Sequence, residues 1–204
     1  RVLSAPTRAL IGLANVLLPG KGLKQGPFVS EEDIRSMADV GHEEGAIEEE
    51  EKELIHSIFE FGDTVAREVM VPRPDMVTIE VESTPRQALT LMLKHGFSRV
   101  PAFEEAPDNI VGLVYAKDIM RRLHGRKKDF KIQDILRTAI FVPDSKRIAE
   151  LLREMQSSKT HMAIVSDEYG DVAGLVTIED LLEEIVGEIA DEYDREDPPV
   201  QPVD

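Results

Sequence analysis

The sequence predicts an α+β fold built from one β-α-β-β-α unit that occurs twice, preceded by an acidic helical segment. An internal repeat supports this prediction: at an offset of 62 residues, residues 112–118 align with 174–180 and residues 99–103 align with 161–165. Short apolar runs alternate with amphipathic stretches in both copies, as expected for strands and helices. Units of about 60 residues are longer than solenoid repeats, so we expect two copies whose sheets bury each other.

Composition excludes several classes of protein before any motif is considered. The chain has 204 residues, of which 42% are hydrophobic, with 24 Lys and Arg against 40 Asp and Glu, a net charge of −16 and no cysteine. The lack of cysteine excludes disulfide scaffolds, thiolate zinc sites and cysteine nucleophiles, and is typical of a reducing, cytosolic environment. The sequence contains no uninterrupted apolar run of about 18 residues, the length that a membrane span needs.

The charge is distributed unevenly along the chain. Residues 1–29 hold four basic residues and no acidic one, whereas residues 30–60 hold 12 acidic and two basic residues. Residues 177–204 hold 11 acidic residues and one basic residue, and residues 61–176 hold 17 of each kind. A nucleic-acid binder needs a contiguous basic face to neutralise phosphates. We therefore expect no nucleic-acid partner.

Two segments precede the repeat. The basic, apolar residues 1–29 predict an amphipathic helix over residues 2–18, which suits either a membrane surface or packing on its own domain. Residues 30–64 predict an acidic helical hairpin whose first helix begins at a capping box at Ser30 and runs to about residue 40, while the second spans about residues 47–61. The glutamates at 48–51 lie where the helix dipole favours anions, so capping and solvation explain them better than a metal site does.

The repeat itself divides into residues 65–127 and 128–190, and an acidic, proline-rich linker follows at 191–204. In each copy we expect a strand, a helix, two strands split by a polar turn, and a final helix that opens at an aspartate. The first strands are predicted at residues 76–80 and 139–142, the first helices at 85–95 and 145–156, and the final helices at Asp118 and Asp180. Because the chain begins at Arg1 and ends in this linker, we expect it to be a piece of a longer protein.

Several of these motifs resemble a known family. The doubled unit, the Gly174-Leu175-Val176-Thr177-Ile178-Glu179-Asp180 ending and the Phe97-Ser98-Arg99-Val100-Pro101 segment resemble a tandem cystathionine-β-synthase (CBS) domain pair, or Bateman module. Residues 50–63, 68–73 and 177–187 resemble the cytosolic part of the CorC family of magnesium and cobalt exporters, bacterial relatives of the CNNM transporters. The resemblance implies a homodimer that binds an adenine nucleotide at the cytoplasmic face of the cell membrane, below a transmembrane domain of the same protein.

The end of the second repeat supplies candidates for nucleotide binding. Asp180, ionised and only an acceptor, could take both ribose hydroxyls, while Thr177 offers its hydroxyl and a helix N-terminus to phosphate. The resemblance also includes Ile178 in this site. Thr177-x-x-Asp180 is equally an ordinary capping box, and the two roles are compatible because a cap fixes the backbone that would face the ligand.

The resemblance implies that the first repeat completes the same cleft. It assigns Val71 and the five residues Phe97, Ser98, Arg99, Val100 and Pro101 to the site. Phe97 would stack on adenine and Arg99 would pair with phosphate. Without the resemblance, Phe97 is better explained as a core residue and Arg99 as a solvated charge at a strand edge. Relatives often have threonine where this chain has Val71, so we expect one hydrogen bond to be lost there and the affinity to be lower.

The equivalent cleft at the end of the first repeat has fewer side chains suited to binding a nucleotide. It keeps the aspartate as Asp118 but replaces the capping threonine with Tyr115, and its companion residues 158–161 lack the arginine and the proline. We therefore expect one nucleotide per chain. Lys117 and His161 are then expected to serve as surface charge and in packing.

The expected function is regulatory, with ATP and Mg²⁺ as cofactors. Mg²⁺ would bridge the phosphates to carboxylates such as Glu179 or Glu183, and the dimeric module would pass the occupancy of the site to a membrane-embedded magnesium or cobalt transporter. The alternative is a CBS pair that senses another adenosyl ligand such as AMP, or a ligand-free dimerisation scaffold. We expect no enzyme, because the five histidines lack metal-site spacing and neither a nucleophile elbow nor a phosphate-binding P-loop motif occurs.

Overall fold

A computed structural model describes residues 29–125 and 129–187 of the chain. The predicted helix of residues 2–18 and the linker of residues 191–204 lie outside the described residues. The chain divides into two units, Arg1–Ile47 and Glu48–Asp204.

The first unit contains helix α1, Glu31–Glu43. The predicted capping box opens it: Asp33 N–H donates to Ser30 Oγ (3.1 Å), and Ser30 N–H donates to Asp33 Oδ2 (2.8 Å). The hydrogen bonds from the backbone and hydroxyl of Ser30 lower the pKa of the Asp33 carboxyl. The helix runs three residues past its predicted end at Val40, and Gly45, at φ +73°, follows it in a turn.

The second unit contains the repeat. Its helices are α2 (Glu49–Asp63), α3 (Ala66–Val69), α4 (Pro85–His95), α5 (Ala116–His124), α6 (Ile148–Ser158) and α7 (Ile178–Val186). Its strands are β1 (Val71–Pro72), β2 (Ile79–Glu80), β3 (Arg99–Glu104), β4 (Ala106–Tyr115), β5 (Ile140–Pro143), β6 (Met162–Ser166) and β7 (Val172–Thr177). The order β-α-β-β-α occurs twice, as β2-α4-β3-β4-α5 and β5-α6-β6-β7-α7, which confirms the predicted fold class.

Several boundaries differ from the sequence predictions: α2 (Glu49–Asp63) was predicted over about residues 47–61, β5 (Ile140–Pro143) over 139–142 and α6 (Ile148–Ser158) over 145–156. The first strand of the first copy was predicted over residues 76–80 but is only the two-residue β2, because residues 76–78, which follow a 3₁₀ turn at 73–75, do not pair with β3. The final helices begin two residues before Asp118 and Asp180, since the residue at the N-cap position of each helix, Tyr115 or Thr177, is the last residue of the preceding strand. Short elements that follow a turn carry too little periodicity to be located from sequence.

Each copy forms its own sheet and its own core, and the two sheets share a third apolar cluster. The sheet of the first copy has the order β2-β3-β4, and that of the second has the order β1-β7-β6-β5. The shared cluster joins strands β4, β6 and β7, through Ile110, Leu113, Tyr115, Met162, Ile164, Val172 and Leu175. The sheets of the two copies therefore bury each other, as the repeat predicts.

The segment before each copy packs on the other copy. Phe61 and Ala66, which precede strand β2 of the first copy, lie in the second core, while Ile132 and Ile135, which precede strand β5 of the second copy, lie in the first core. Close backbone approaches accompany this exchange. A Cβ on Gly112 would lie 2.7 Å from the carbonyl oxygen of the segment crossing it, so glycine is required for that contact.

Candidate functional site

A pocket of about 340 Å³ lies between the two copies. This volume is within the range of small-molecule sites, which favour clefts between domains. The residues that line it come from both copies: Val71, Asp75, Met76, Val77, Gly96, Phe97, Ser98, Arg99, Pro101, Met162, Leu175, Thr177, Glu179 and Asp180.

The lining is largely apolar with a few charged groups. Three acidic side chains and one basic side chain line the pocket, namely Asp75, Glu179, Asp180 and Arg99. An apolar interior with a few placed polar groups can hold a flat organic ring and orient its substituents. The excess of acidic groups disfavours an anionic ligand unless a cation accompanies it.

Strand β7 and helix α7 place Asp180 at the pocket through a complete capping box. Thr177 N–H donates to Asp180 Oδ2 (2.7 Å), and Asp180 N–H donates to Thr177 Oγ1 (3.3 Å). The box fixes the carboxylate while using only Oδ2. Within the described part of the chain, Oδ1 of Asp180 is free to accept hydrogen bonds from a ligand.

Arg99 lies at the edge of the same pocket, at the start of β3. Its Nη1 lies 3.8 Å from Glu179 Oε1, and its guanidinium carbon lies 5.5 Å from the centroid of the Tyr115 ring. The side chain is only 22% exposed, and its Nε is buried without a hydrogen-bond partner in the described residues. Most of this side chain is therefore buried at the edge of the strand. A buried donor without a partner is costly, which makes this guanidinium a candidate for anion binding.

Phe97 follows the left-handed C-cap of α4 at Gly96, where φ is +73° and a glycine suits the backbone. Its ring is 47% exposed and stacks on His95 with centroids 5.7 Å apart. The alternative of a core phenylalanine is therefore wrong. The exposed ring lines the pocket and presents an apolar face there.

Three residues of the predicted site do not line the pocket. Val100 is fully buried in the first core, because alternate residues of β3 point to opposite faces of its sheet. Ile178 packs against the second core, and its N–H donates to the carbonyl oxygen of His161 (3.1 Å). Glu183 is exposed on α7, one turn beyond Glu179.

Six lining residues were missed by the sequence reasoning: Asp75, Met76, Val77, Gly96, Met162 and Leu175. Alternation along β6 and β7 marks Met162 and Leu175 as buried without distinguishing a pocket wall from a core. The position of Asp75 follows from β1, which pairs antiparallel with β7 and carries residues 73–77 to the pocket. No local sequence pattern indicates that β1 pairs with β7.

The region at the end of the first repeat that is equivalent to this pocket, here called the second cleft, contains Tyr115, Asp118 and Arg137. Its charged side chains are paired with each other. Arg137 Nε donates to Asp118 Oδ2 (2.8 Å), and Arg137 Nη2 lies 2.7 Å from the same oxygen. Arg121 Nη1 donates to Asp118 Oδ1 at 3.3 Å. The guanidinium of Arg137 also lies over the Tyr115 ring, 4.5 Å from its centroid. Asp118 is consequently paired and only 9% exposed.

Across residues 29–125 and 129–187, no group of three or more His, Asp or Glu side chains is placed to hold a metal ion. Within the same ranges, no helix has the length and apolar character needed to cross a membrane.

Comparison with known proteins places the chain among related sequences. The family model described as CBS domain matches residues 66–125 and 132–187. The chain is 49% identical over 192 residues to a UPF0053 protein of Mycobacterium tuberculosis, an alignment covering 93% of this chain and 44% of the relative. It is 42% identical over 151 residues to the magnesium and cobalt efflux protein CorC of Salmonella typhimurium, covering 74% and 52%. The chain thus spans about half the length of the curated relatives it matches.

Solved structures show the same similarity. The CBS domain of a bacterial CNNM/CorC family Mg²⁺ transporter matches with a TM-score of 0.74 and 45% identity, covering 80% of this chain and all of that one. The CBS domain of such a transporter in complex with ATP matches with a TM-score of 0.65 and 47% identity, covering 68% and 99%. A CBS-domain pair with bound AMP from Klebsiella pneumoniae matches at 0.55 and 28%, covering 61% and 99%.

Proposed function

Since the chain belongs to the CBS domain family, as a CBS pair of the CorC/CNNM type, we propose that it is the regulatory module of a membrane magnesium or cobalt efflux transporter. The module binds ATP together with Mg²⁺ in the pocket between its two CBS domains. The relatives named CorC and the transporter CBS domain in complex with ATP support this proposal. The single structural observation that carries it is one pocket that combines Asp180 of one copy with Arg99 of the other.

Each part of the nucleotide has a matching group in the pocket. Oδ1 of Asp180 accepts hydrogen bonds from the ribose hydroxyls, and the cap holds the carboxylate in place while it does so. Phe97 offers a half-exposed ring for stacking on adenine. Arg99, which has a buried Nε without a partner in the described residues, donates to phosphate oxygens.

Mg²⁺ has a specific electrostatic role in this proposal. ATP brings about four negative charges to a pocket that already has three acidic side chains and one arginine. A divalent cation bound to the phosphates would offset this repulsion, and Glu179, which lines the pocket, would share the ion. Glu183, exposed one turn further along α7, does not line the pocket.

A second candidate ligand is AMP. The acidic lining favours a nucleotide that carries fewer phosphates, and a CBS-domain pair with bound AMP is among the structural relatives. In this alternative the module senses another adenosyl ligand, or serves as a dimerisation scaffold without one. Preference for ATP over AMP, and its dependence on Mg²⁺, distinguishes the two.

The module acts as a homodimer at the cytoplasmic face of the membrane, with the transmembrane domain of the same protein as its partner. Exposed apolar side chains on α5 and α7 support dimerisation: Met120 is 50% exposed, Leu182 40% and Val186 48%. Exposed apolar faces on helices are typical of surfaces that another subunit buries.

Isothermal titration with ATP, ADP and AMP, each with and without Mg²⁺, tests the proposal. We expect one site per chain, tightest for ATP in the presence of Mg²⁺. Tighter binding of AMP, unaffected by Mg²⁺, would favour the alternative, and the absence of any nucleotide binding would contradict both nucleotide-sensing functions.

A further inference from the structure

The two clefts are equivalent in backbone structure, so their differences can be assigned to single positions. Val71 pairs with Leu175 at the edge of β7, and Arg137 forms an isolated antiparallel bridge with Leu113 of β4. Leu113 and Leu175 are partners in the 62-residue repeat. Arg137 therefore occupies in the second cleft the position that Val71 occupies in the first.

The glycines beside these pairings confirm the equivalence. A Cβ on Gly112 would meet the carbonyl oxygen of Arg137, and a Cβ on its repeat partner Gly174 would meet the carbonyl oxygen of Val71. Both crossing segments thus approach a strand so closely that only glycine fits. The backbone geometry is shared, while the side chain at the crossing is a valine in one cleft and an arginine in the other.

The arginine satisfies the groups that a nucleoside would otherwise meet. Asp118 is the repeat partner of Asp180, and its Oδ2 receives hydrogen bonds from Arg137 instead of remaining open to a ligand. The planar guanidinium also covers the face of Tyr115, the repeat partner of Thr177, in a cation–π contact at 4.5 Å. One side chain therefore neutralises the carboxylate and covers the adjacent aromatic ring.

We propose that Arg137 acts as an internal substitute for a ligand and is the residue that prevents the second cleft from binding nucleotide. The inference rests on the proposed function, because it explains why only one of two equivalent clefts is open. Replacing Arg137 exposes an acceptor oxygen on Asp118. Arg121 and Arg122, which suit phosphate, lie beside it, together with the acidic Asp134.

The test is the number of ATP molecules bound per chain, measured by isothermal titration with Mg²⁺ present. Arg137→Val copies the residue found at the equivalent position of the first cleft, and Arg122→Val removes the same charge from a neighbouring exposed position. We expect one site in the original protein and in the Arg122 variant, and two in the Arg137 variant. Adding Asp180→Ala to Arg137→Val isolates the second cleft, and a further Asp118→Asn change removes its site.

Each outcome decides the inference separately from the proposed function. A folded Arg137→Val protein with the same stoichiometry as the original would overturn the inference, and so would two sites in the original protein. A third outcome is that the original protein binds no ATP, whereas the Arg137 variant gains one site that Asp118→Asn removes again. This outcome would refute the proposed function and support the inference. If Arg137→Val loses cooperative unfolding, Arg137→Thr is judged by the same criterion, because its side chain is polar and β-branched but too short to cover both Asp118 and Tyr115.

Discussion

Replacing Asp180 by alanine separates a ligand acceptor from a simple helix cap. The substitution removes the carboxylate from the pocket lining, including Oδ2, which accepts the Thr177 N–H at 2.7 Å. It also removes one of three acidic charges that line the pocket. The loss of a hydrogen bond to ribose weakens ATP binding, whereas the loss of the charge alone would strengthen it. The sign of the change therefore tells which role dominates.

The expected magnitudes follow from these contacts. A hydrogen bond to a charged group is worth roughly 1.5–3 kcal/mol, and about 1.4 kcal/mol corresponds to a tenfold change in affinity. Asp180→Ala should therefore weaken ATP binding by about ten- to a hundredfold. Asp180→Ala also removes the hydrogen bond from Thr177 N–H, while Thr177 Oγ1 still caps the helix, so the free energy of unfolding should fall by about 0.5–1.5 kcal/mol. Asp180→Asn keeps an oxygen for Thr177 N–H, so it should retain most of that stability.

Isothermal titration measures the affinity, and urea unfolding measures the stability of the same variants. Asp118→Ala is the matched control, since it removes the repeat partner, which Arg137 already engages. We expect that control to change ATP affinity less than about threefold while lowering the stability by about 2 kcal/mol. Unchanged or tighter ATP binding by Asp180→Ala, or equal losses at both aspartates, would refute the assignment of the ribose to Asp180.

Three further predictions concern the pocket, the backbone and the assembly. Val71→Thr places a hydroxyl in the pocket and should raise ATP affinity by about two- to tenfold, measured by titration, and unchanged affinity would show that the ligand does not reach this wall. Gly112→Ala forces a Cβ to within 2.7 Å of a carbonyl oxygen and should lower the free energy of unfolding by about 1–3 kcal/mol, whereas Gly62→Ala, with no atom within 4 Å, should raise it by up to about 1 kcal/mol. The original protein should sediment as a dimer at tens of micromolar, and the double variant Met120→Glu, Leu182→Glu should sediment as a monomer. An original protein that is monomeric both with and without ATP would contradict the proposed homodimer.

The fold could be predicted because the same pattern occurs twice in the sequence. Helix α4 has the predicted bounds, since Thr84 caps it and Gly96 ends it with a left-handed residue. The two-residue strand β1 could not be predicted, because its pairing with β7 depends on tertiary contacts. The exchange of segments between the copies was missed for the same reason: a linear comparison aligns each segment with the copy that follows it.

The candidate site was predicted in part. The Thr177-x-x-Asp180 spacing locates the start of α7, because a cap is a local arrangement that sequence patterns reveal. Val100 was placed in the pocket by resemblance to a segment, yet strand alternation turns its side chain into the core. The pairing of Arg137 with Asp118 joins residues 19 positions apart across two elements, so no sequence pattern indicated it.

The most direct test of the central claim is an ATP titration at fixed ionic strength, with Mg²⁺ present or replaced by monovalent salt. Three acidic side chains and one arginine line the pocket, so ATP without a divalent cation meets net repulsion there. We predict one site per chain whose affinity for ATP rises at least tenfold with Mg²⁺, while the affinity for AMP changes less than about threefold, because about 1.4 kcal/mol of relieved repulsion is tenfold. An affinity for ATP that is the same with and without Mg²⁺ would contradict the claim that this module binds ATP together with Mg²⁺.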